Sequence, residues 1–190
     1  MSVNFDGFEF EKGYLQRDIA EQSGALVLKL AANSGAFFFP TYSKLIQKAW
    51  LHHPEDRSLQ TLHTGNPEDF DENSRIVEAL SVFEEVNAKN MGQRAVSSFF
   101  LVYKPQAVLL PHYDAENDST VVFNLTGNGT LNLYDGDIIA EQVPLEPGDK
   151  YTLTPDIKHS LSATGDNDRV VMVLNSPHVV AEQPSVLVLA

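Results

Sequence analysis

The sequence predicts a mainly β protein, a jelly roll of eight short strands buttressed by α elements from its N-terminal half. From Arg94 onward, runs rich in β-branched and aromatic residues alternate with turn signals, as in a sandwich or barrel. The turns are specific: Asn128-Gly129 and Asp135-Gly136 are hairpin dipeptides, Pro147-Gly148 marks a third turn, and Gly165-Asp166-Asn167-Asp168 a fourth. Cutting there gives strands near 94–103, 107–113, 119–126, 130–134, 137–143, 149–154, 158–164 and 169–175, a set that suits a jelly roll.

At 190 residues the chain can bury a sizeable core and is read as one domain. Within it, 1–93 form an N-terminal α/β elaboration, 94–175 the jelly-roll core and 176–190 a C-terminal extension. The 26 acidic against 13 basic residues give a net charge of −13, which repels polyanions and argues against nucleic acid or an anionic membrane as partner. The absence of cysteine excludes disulfides and thiolate metal sites. The opening Met-Ser-Val-Asn-Phe-Asp lacks a basic and then apolar leader, and no apolar run suits a spanning helix, so the expected location is cytoplasmic. Monomer and homodimer both remain open.

In the N-terminal half, Ala25 to Leu30 reads as a short buried strand, and Thr41 to Trp50 as a helix opened by Pro40-Thr41, with Leu45 and Trp50 turned to a core. His52, His53 and His63 fall in a polar stretch to Glu72 that reads as a solvated loop, and His178 is given no role. Asp71-Glu72-Asn73-Ser74 caps a helix to about Asn90, with Ile76, Leu80, Val82, Phe83 and Val86 on one face as packing.

The chemistry concentrates in Leu109-Leu110-Pro111-His112-Tyr113-Asp114 and in His159. In an extended strand His112 and Asp114 share a face, with Val108 and Leu110 continuing it as an apolar, buried stripe. On the seventh strand His159, Leu161 and Ala163 share the apolar face, so His159 points inward. Two imidazoles and a carboxylate, without thiolate, are the ligand set of a non-haem Fe(II) facial triad. Phe99, Leu101, Leu131, Leu133, Tyr151 and Leu161 are the inward candidates for the wall of the cavity.

With these residues the chain resembles the Fe(II)/2-oxoglutarate-dependent dioxygenase superfamily, in its prolyl-hydroxylase-like branch. That family's double-stranded β-helix, a cupin-like barrel, carries His-x-Asp on its second strand and a distal His on its seventh. Further matching features are Tyr103-Lys104-Pro105, Glu146-Pro147-Gly148-Asp149 and Arg169, which lies ten residues beyond His159. Where the family often has Gly after Tyr-x-Pro, this chain has Gln106. The resemblance covers roughly 94–175. It implies that His112, Asp114 and His159 are the catalytic ligands of Fe(II), and that Arg169 and Tyr103 bind the far carboxylate of 2-oxoglutarate. The implied reaction is hydroxylation of an unactivated C–H bond in a small-molecule or amino-acid/peptide substrate.

Metal-binding cupins are the alternative. They use His-x-His-x3-Glu and a distal His, and Asp118, four residues beyond Asp114, would supply a fourth ligand to a modified set. For Arg169 the expectation is specific: its strand pairs with that of His159, and an odd loop, Asp166 to Asp168, turns it inward with a left-handed residue at Asn167 or Asp168. The two residues would then be offset by about six positions, or ~20 Å at ~3.3 Å per residue.

Overall fold

The computed structural model describes residues 5–33, 39–41, 43–52, 75–76, 79–80, 82–83, 86, 97–115 and 117–177. His53, His63, His178 and the Asp71–Ser74 cap lie outside the described residues. Eight strands make the barrel: β4 (Ser97–Tyr103), β5 (Val108–His112), β6 (Asn117–Thr126), β7 (Asn128–Asp135), β8 (Ile138–Leu145), β9 (Lys150–Leu153), β10 (His159–Thr164) and β11 (Arg169–Pro177). Ahead of them come β1 (Phe8–Glu11), α1 (Arg17–Asn33), β2 (Phe39–Thr41) and β3 (Ser43–His52). The larger sheet has the order β1-β9-β6-β11-β4-β3-β2 and the smaller β5-β10-β7-β8. The fold is therefore mainly β, a jelly roll of two antiparallel sheets between which the chain crosses repeatedly, with only the β7–β8 hairpin keeping consecutive barrel strands in one sheet, and with helix outside.

Strand alternation divides the core in two. Along β11, Val171 and Val173 enter the layer between the sheets with Leu101, Val122, Leu131, Leu133 and Leu161. Val170, Met172 and Leu174 face the other way, onto α1 with Val27 and Leu30. The larger sheet is thus apolar on both faces, which is why Ser97–Tyr103 is buried without interruption.

Two N-terminal expectations are corrected. Ala25–Leu30 is not a strand but the middle of α1, where Ala20, Ser23, Gly24, Val27 and Leu30 form a buried stripe at helical spacing. A six-residue apolar run cannot separate a strand from a buried helix segment; the wider window can. At Gly24 a β-carbon would come within 2.8 Å of Thr126, so glycine lets α1 lie directly on β6. Residues 43–52 form not a helix but β3, paired along β4 from Ile46 opposite Tyr103 to Ala49 opposite Phe100. Leu45, expected in the core, is exposed, while Ile46 and Ala49 are fully buried on opposite faces of the strand. Pairing with a fully buried strand overrides the helix signal of the local sequence.

The described residues between 75 and 86 are helical, as expected. Ile76 and Leu80 are buried in the core beneath α1 and Phe83 packs against it, whereas Val82 and Val86 are exposed, a correction to the expected stripe. Among the described residues no helix is long and apolar enough to cross a membrane.

Candidate metal centre

β5 brings His112 to the site by a bulge. His112 lies opposite His159, and Leu109 opposite Leu161, so Leu110 and Pro111 together face the single residue Ser160. The extra residue moves Val108 and Leu110 to the solvent side, 50% and 71% exposed, instead of the buried stripe that regular alternation predicts. Leu109 is the buried residue of this strand, and His112 turns inward three positions later rather than two. Pro111 suits the irregularity, since it has no N–H to give to the ladder.

Both imidazoles are oriented alike. His112 Nδ1 is 2.9 Å from the Leu110 carbonyl, and His159 Nδ1 is 3.1 Å from that of Ile157. A carbonyl only accepts, so each Nδ1 donates and each Nε2 is left as an acceptor. Burial holds His159 below the ordinary imidazole range; the neighbouring His112 acts in the same direction, and Asp114 opposes it. Asp114 presents Oδ1 3.6 Å from His112 Nε2 and Oδ2 3.9 Å from His159 Nε2. These are too long for hydrogen bonds. Two ligands at ~2.1 Å from one ion stand at most ~4.2 Å apart, so both separations fit a shared cation. Acceptor atoms of the three residues all lie within 4.8 Å of one another. Three converging acceptors repel each other unless a cation sits among them, and on that ground the residues present fit a divalent metal. Asp118 is outside this group.

The three residues line a cavity of about 840 Å³ that also borders Phe99, Leu101, Tyr103, Tyr151 and Lys48. Leu131 and Leu133, expected in its wall, are instead packed in the core.

Arg169 is fully buried on the inner face, but not for the expected reason. β10 and β11 belong to different sheets and do not pair; β11 pairs with β4 and β6. Its inward direction follows from parity with Val171 and Val173. The left-handed residue of the preceding turn is Gly165 (φ 91°), not Asn167 or Asp168. Arg169 stands opposite Tyr103 on β4, with its guanidinium carbon 5.1 Å from the centre of that ring. Its Nε donates to Asn124 Oδ1 at 2.7 Å, and its two terminal nitrogens have no hydrogen-bond partner among the described residues. Space for it comes from Gly129, where a β-carbon would stand 2.8 Å from Arg169 Nε. Gly129 and Leu133 lie opposite Ala163 and His159 respectively, four positions apart. That is about 13 Å of strand at ~3.3 Å per residue, shorter than the ~20 Å expected. Tyr151 lies between the two ends: burial raises its phenol above the ordinary value, Arg169 opposes this, and Asp114 adds to it.

A family model described as Cupin matches residues 68–189, well over half of the chain. The chain belongs to the cupin family. No curated protein matches this cupin significantly. Among solved structures it is similar to that of OsALKBH1, at 18% identity over 92% of this chain and 100% of that one, with a TM-score of 0.60. It is also similar to an oxidoreductase of the 2OG-Fe(II) oxygenase family from Burkholderia pseudomallei, at 15% identity, 90% and 88% coverage and a TM-score of 0.55. A Pseudomonas putida prolyl-4-hydroxylase matches at 15% identity, 90% and 92% coverage and a TM-score of 0.52. At these identities the likeness is one of fold.

Asn124, Gly129 and Lys48 have no part in the sequence-based site. Asn124 had a readable signal, a polar residue inside the apolar run Val121–Leu125. Lys48 was hidden by the helical reading of its segment. Glu146–Asp149 proves structural: the buried Asp149 carboxylate accepts the backbone N–H groups of Gly13 and Glu146 at 2.9 and 2.8 Å, tying the N-terminal segment to the barrel.

Proposed function

We propose that this cupin is a non-haem Fe(II)- and 2-oxoglutarate-dependent dioxygenase that hydroxylates an unactivated C–H bond of a small-molecule or amino-acid/peptide substrate. One observation carries the reading: a fully buried guanidinium whose two terminal nitrogens have no hydrogen-bond partner among the described residues lies in the same barrel as the His-Asp-His group. A buried charge left this way calls for an anion, and the planar fork matches a carboxylate. About 13 Å of strand separates the level of Arg169 from that of His159, so one small dicarboxylate can reach from the metal to the arginine. The fold shared with the 2OG-Fe(II) oxygenase of Burkholderia pseudomallei and the prolyl-4-hydroxylase of Pseudomonas putida supports the reading.

His112, His159 and Asp114 would hold the metal, the imidazoles through Nε2 with their Nδ1 protons fixed on backbone carbonyls. Bound Fe(II), with 2-oxoglutarate and O2, supplies the oxidising chemistry, in which the keto acid is decarboxylated to succinate as oxygen enters the substrate. Arg169 neutralises the distal carboxylate, and Asn124 fixes the guanidinium through Nε so that the terminal nitrogens face the ligand. Tyr103, beside Arg169 on the inner face, closes that end of the cavity and brings a phenol to the same carboxylate. Phe99, Leu101 and Leu161 keep water out.

The cupin match by itself suits equally a metal enzyme or small-ligand module that needs no 2-oxoglutarate. Heat denaturation of the Mn(II)-loaded protein discriminates, because a ligand bound only by the folded state raises its stability. 2-Oxoglutarate should raise Tm, and the Fe(II) form should release succinate slowly even without primary substrate. An unchanged Tm with no succinate refutes the dioxygenase.

A further inference from the structure

We propose that the primary substrate is a small carboxylate with an N–H donor beside its acid group, of the amino-acid class, and that Lys48 and Asn175 select it. This rests on the dioxygenase reading for placing the substrate in the barrel cavity.

Lys48 is on the inner face of the larger sheet. It pairs with Leu101, in line with the fully buried Ile46, at a position where the alternation calls for an apolar residue. Its ammonium lies 3.7 Å from the centre of the Phe99 ring. Among the described residues that line the cavity, Lys48 is the only lysine or arginine. Burial lowers the Lys48 pKa to about 8, against the pull of Asp114, so the group is still charged at neutral pH where its surroundings disfavour charge. An anion brought to it is worth more there than at the surface.

A second observation supplies the donor. Asn175 lines the same cavity, and its Oδ1 is buried with no hydrogen-bond partner among the described residues. Asn175 lies opposite Ser97 on β4, and Val173, two residues earlier, lies opposite Phe99. The acceptor is therefore one inward step, about 7 Å, from the ring that carries the ammonium. A cation and a buried acceptor at this spacing suit a carboxylate with an adjacent N–H. Arg169 is at a different level, beside Gly129, and its anion is a separate one. The exposed Val108, Leu110 and Tyr113 at the cavity rim give an apolar side chain a surface.

The test titrates N-acetyl-L-leucine and its uncharged analogue N-acetyl-L-leucinamide into protein loaded with Mn(II) and saturating 2-oxoglutarate, followed by calorimetry. The acid should bind about tenfold more tightly than the amide, as expected for one charge-assisted contact. Lys48→Met, or Lys48→Gln should the first not fold, should abolish that preference, and Lys48→Arg should keep it. Asn175→Ala should weaken acid and amide alike, since both carry the N–H. None of the Lys48 variants should change the affinity for 2-oxoglutarate. Equal binding of acid and amide, no binding of the acid, or a preference that survives in Lys48→Met overturns the proposal. So does a Lys48 variant that loses 2-oxoglutarate instead of the probe. Repeating the titration with Mn(II) alone keeps the two readings apart, because the acid preference is then measured whether or not 2-oxoglutarate binds.

Discussion

Replacing Arg169 with methionine separates an arginine kept for a ligand from one kept for the fold. In the ligand-free protein the substitution removes the Nε–H bond to Asn124, worth ~1.5–3 kcal/mol for a charged donor. It also removes the contact with the Tyr103 ring, worth ~1–2 kcal/mol when desolvated. Against this it relieves two buried nitrogens that have no partner among the described residues, at ~1–3 kcal/mol each. The sums nearly cancel, and methionine fills a similar volume with adaptable apolar atoms. Stability of the ligand-free protein should therefore change by no more than about 2 kcal/mol. Affinity should not survive, because a dicarboxylate would leave one charge buried and unpaired, at ~3–5 kcal/mol. At ~1.4 kcal/mol per tenfold this weakens 2-oxoglutarate by about 10² or more. Urea denaturation of wild type and variant, with calorimetric titration of 2-oxoglutarate into the Mn(II) forms, measures both quantities. A stability loss beyond about 3 kcal/mol with unchanged 2-oxoglutarate affinity would make Arg169 a structural residue and refute the reasoning.

Asp114→Gly should abolish Mn(II) binding measured by equilibrium dialysis, since it removes the only carboxylate of the cluster; retained stoichiometric metal would remove the basis of the site. The metal-free protein should lose stability as pH falls below ~6.5. The sign follows from His159, whose pKa is lowered in the fold, so the unfolded chain binds the extra proton first and the stabilisation present above the unfolded value is lost towards the folded one. His159→Gln should flatten that limb of a Tm against pH curve. Gln106 occupies a left-handed position (φ 64°) in the turn closed by Ala107 N–H to Lys104 O at 3.0 Å. Gln106→Gly should relieve ~1–2 kcal/mol of strain, less ~0.4–1 kcal/mol for the freer unfolded chain, raising Tm by a few degrees in differential scanning calorimetry.

The sequence by itself determined the eight barrel strands, because Gly, Pro, Asn and Asp set turns through local backbone sterics that need no distant partner. Asp135-Gly136, Pro147-Gly148 and Gly165 fall where strands end or turn, whereas Asn128-Gly129 makes no hairpin: it opens β7, which lies in the other sheet from β6, and the left-handed residue before it is Gly127. It also determined the face of His159, since Leu161 and Ala163, at the same parity along β10, enter the core between the sheets. Pro105-Gln106 shows the same local control: the turn demands a left-handed residue whether or not glycine is supplied. Tertiary structure alone decided the rest. Alternation along Val108–His112 fails because pairing with β10 admits an extra residue, and a bulge is a property of two strands, not one. The sheet to which β11 belongs depends on its partners β4 and β6, so the surroundings of Arg169 were not legible from its distance to His159. Residues 43–52 carry little strand signal of their own; pairing with β4 makes them a strand and thereby brings Lys48 into the cavity. Local sterics act over a few residues, whereas pairing and burial depend on segments far apart in the chain, and those interactions placed Asn124, Gly129 and Lys48.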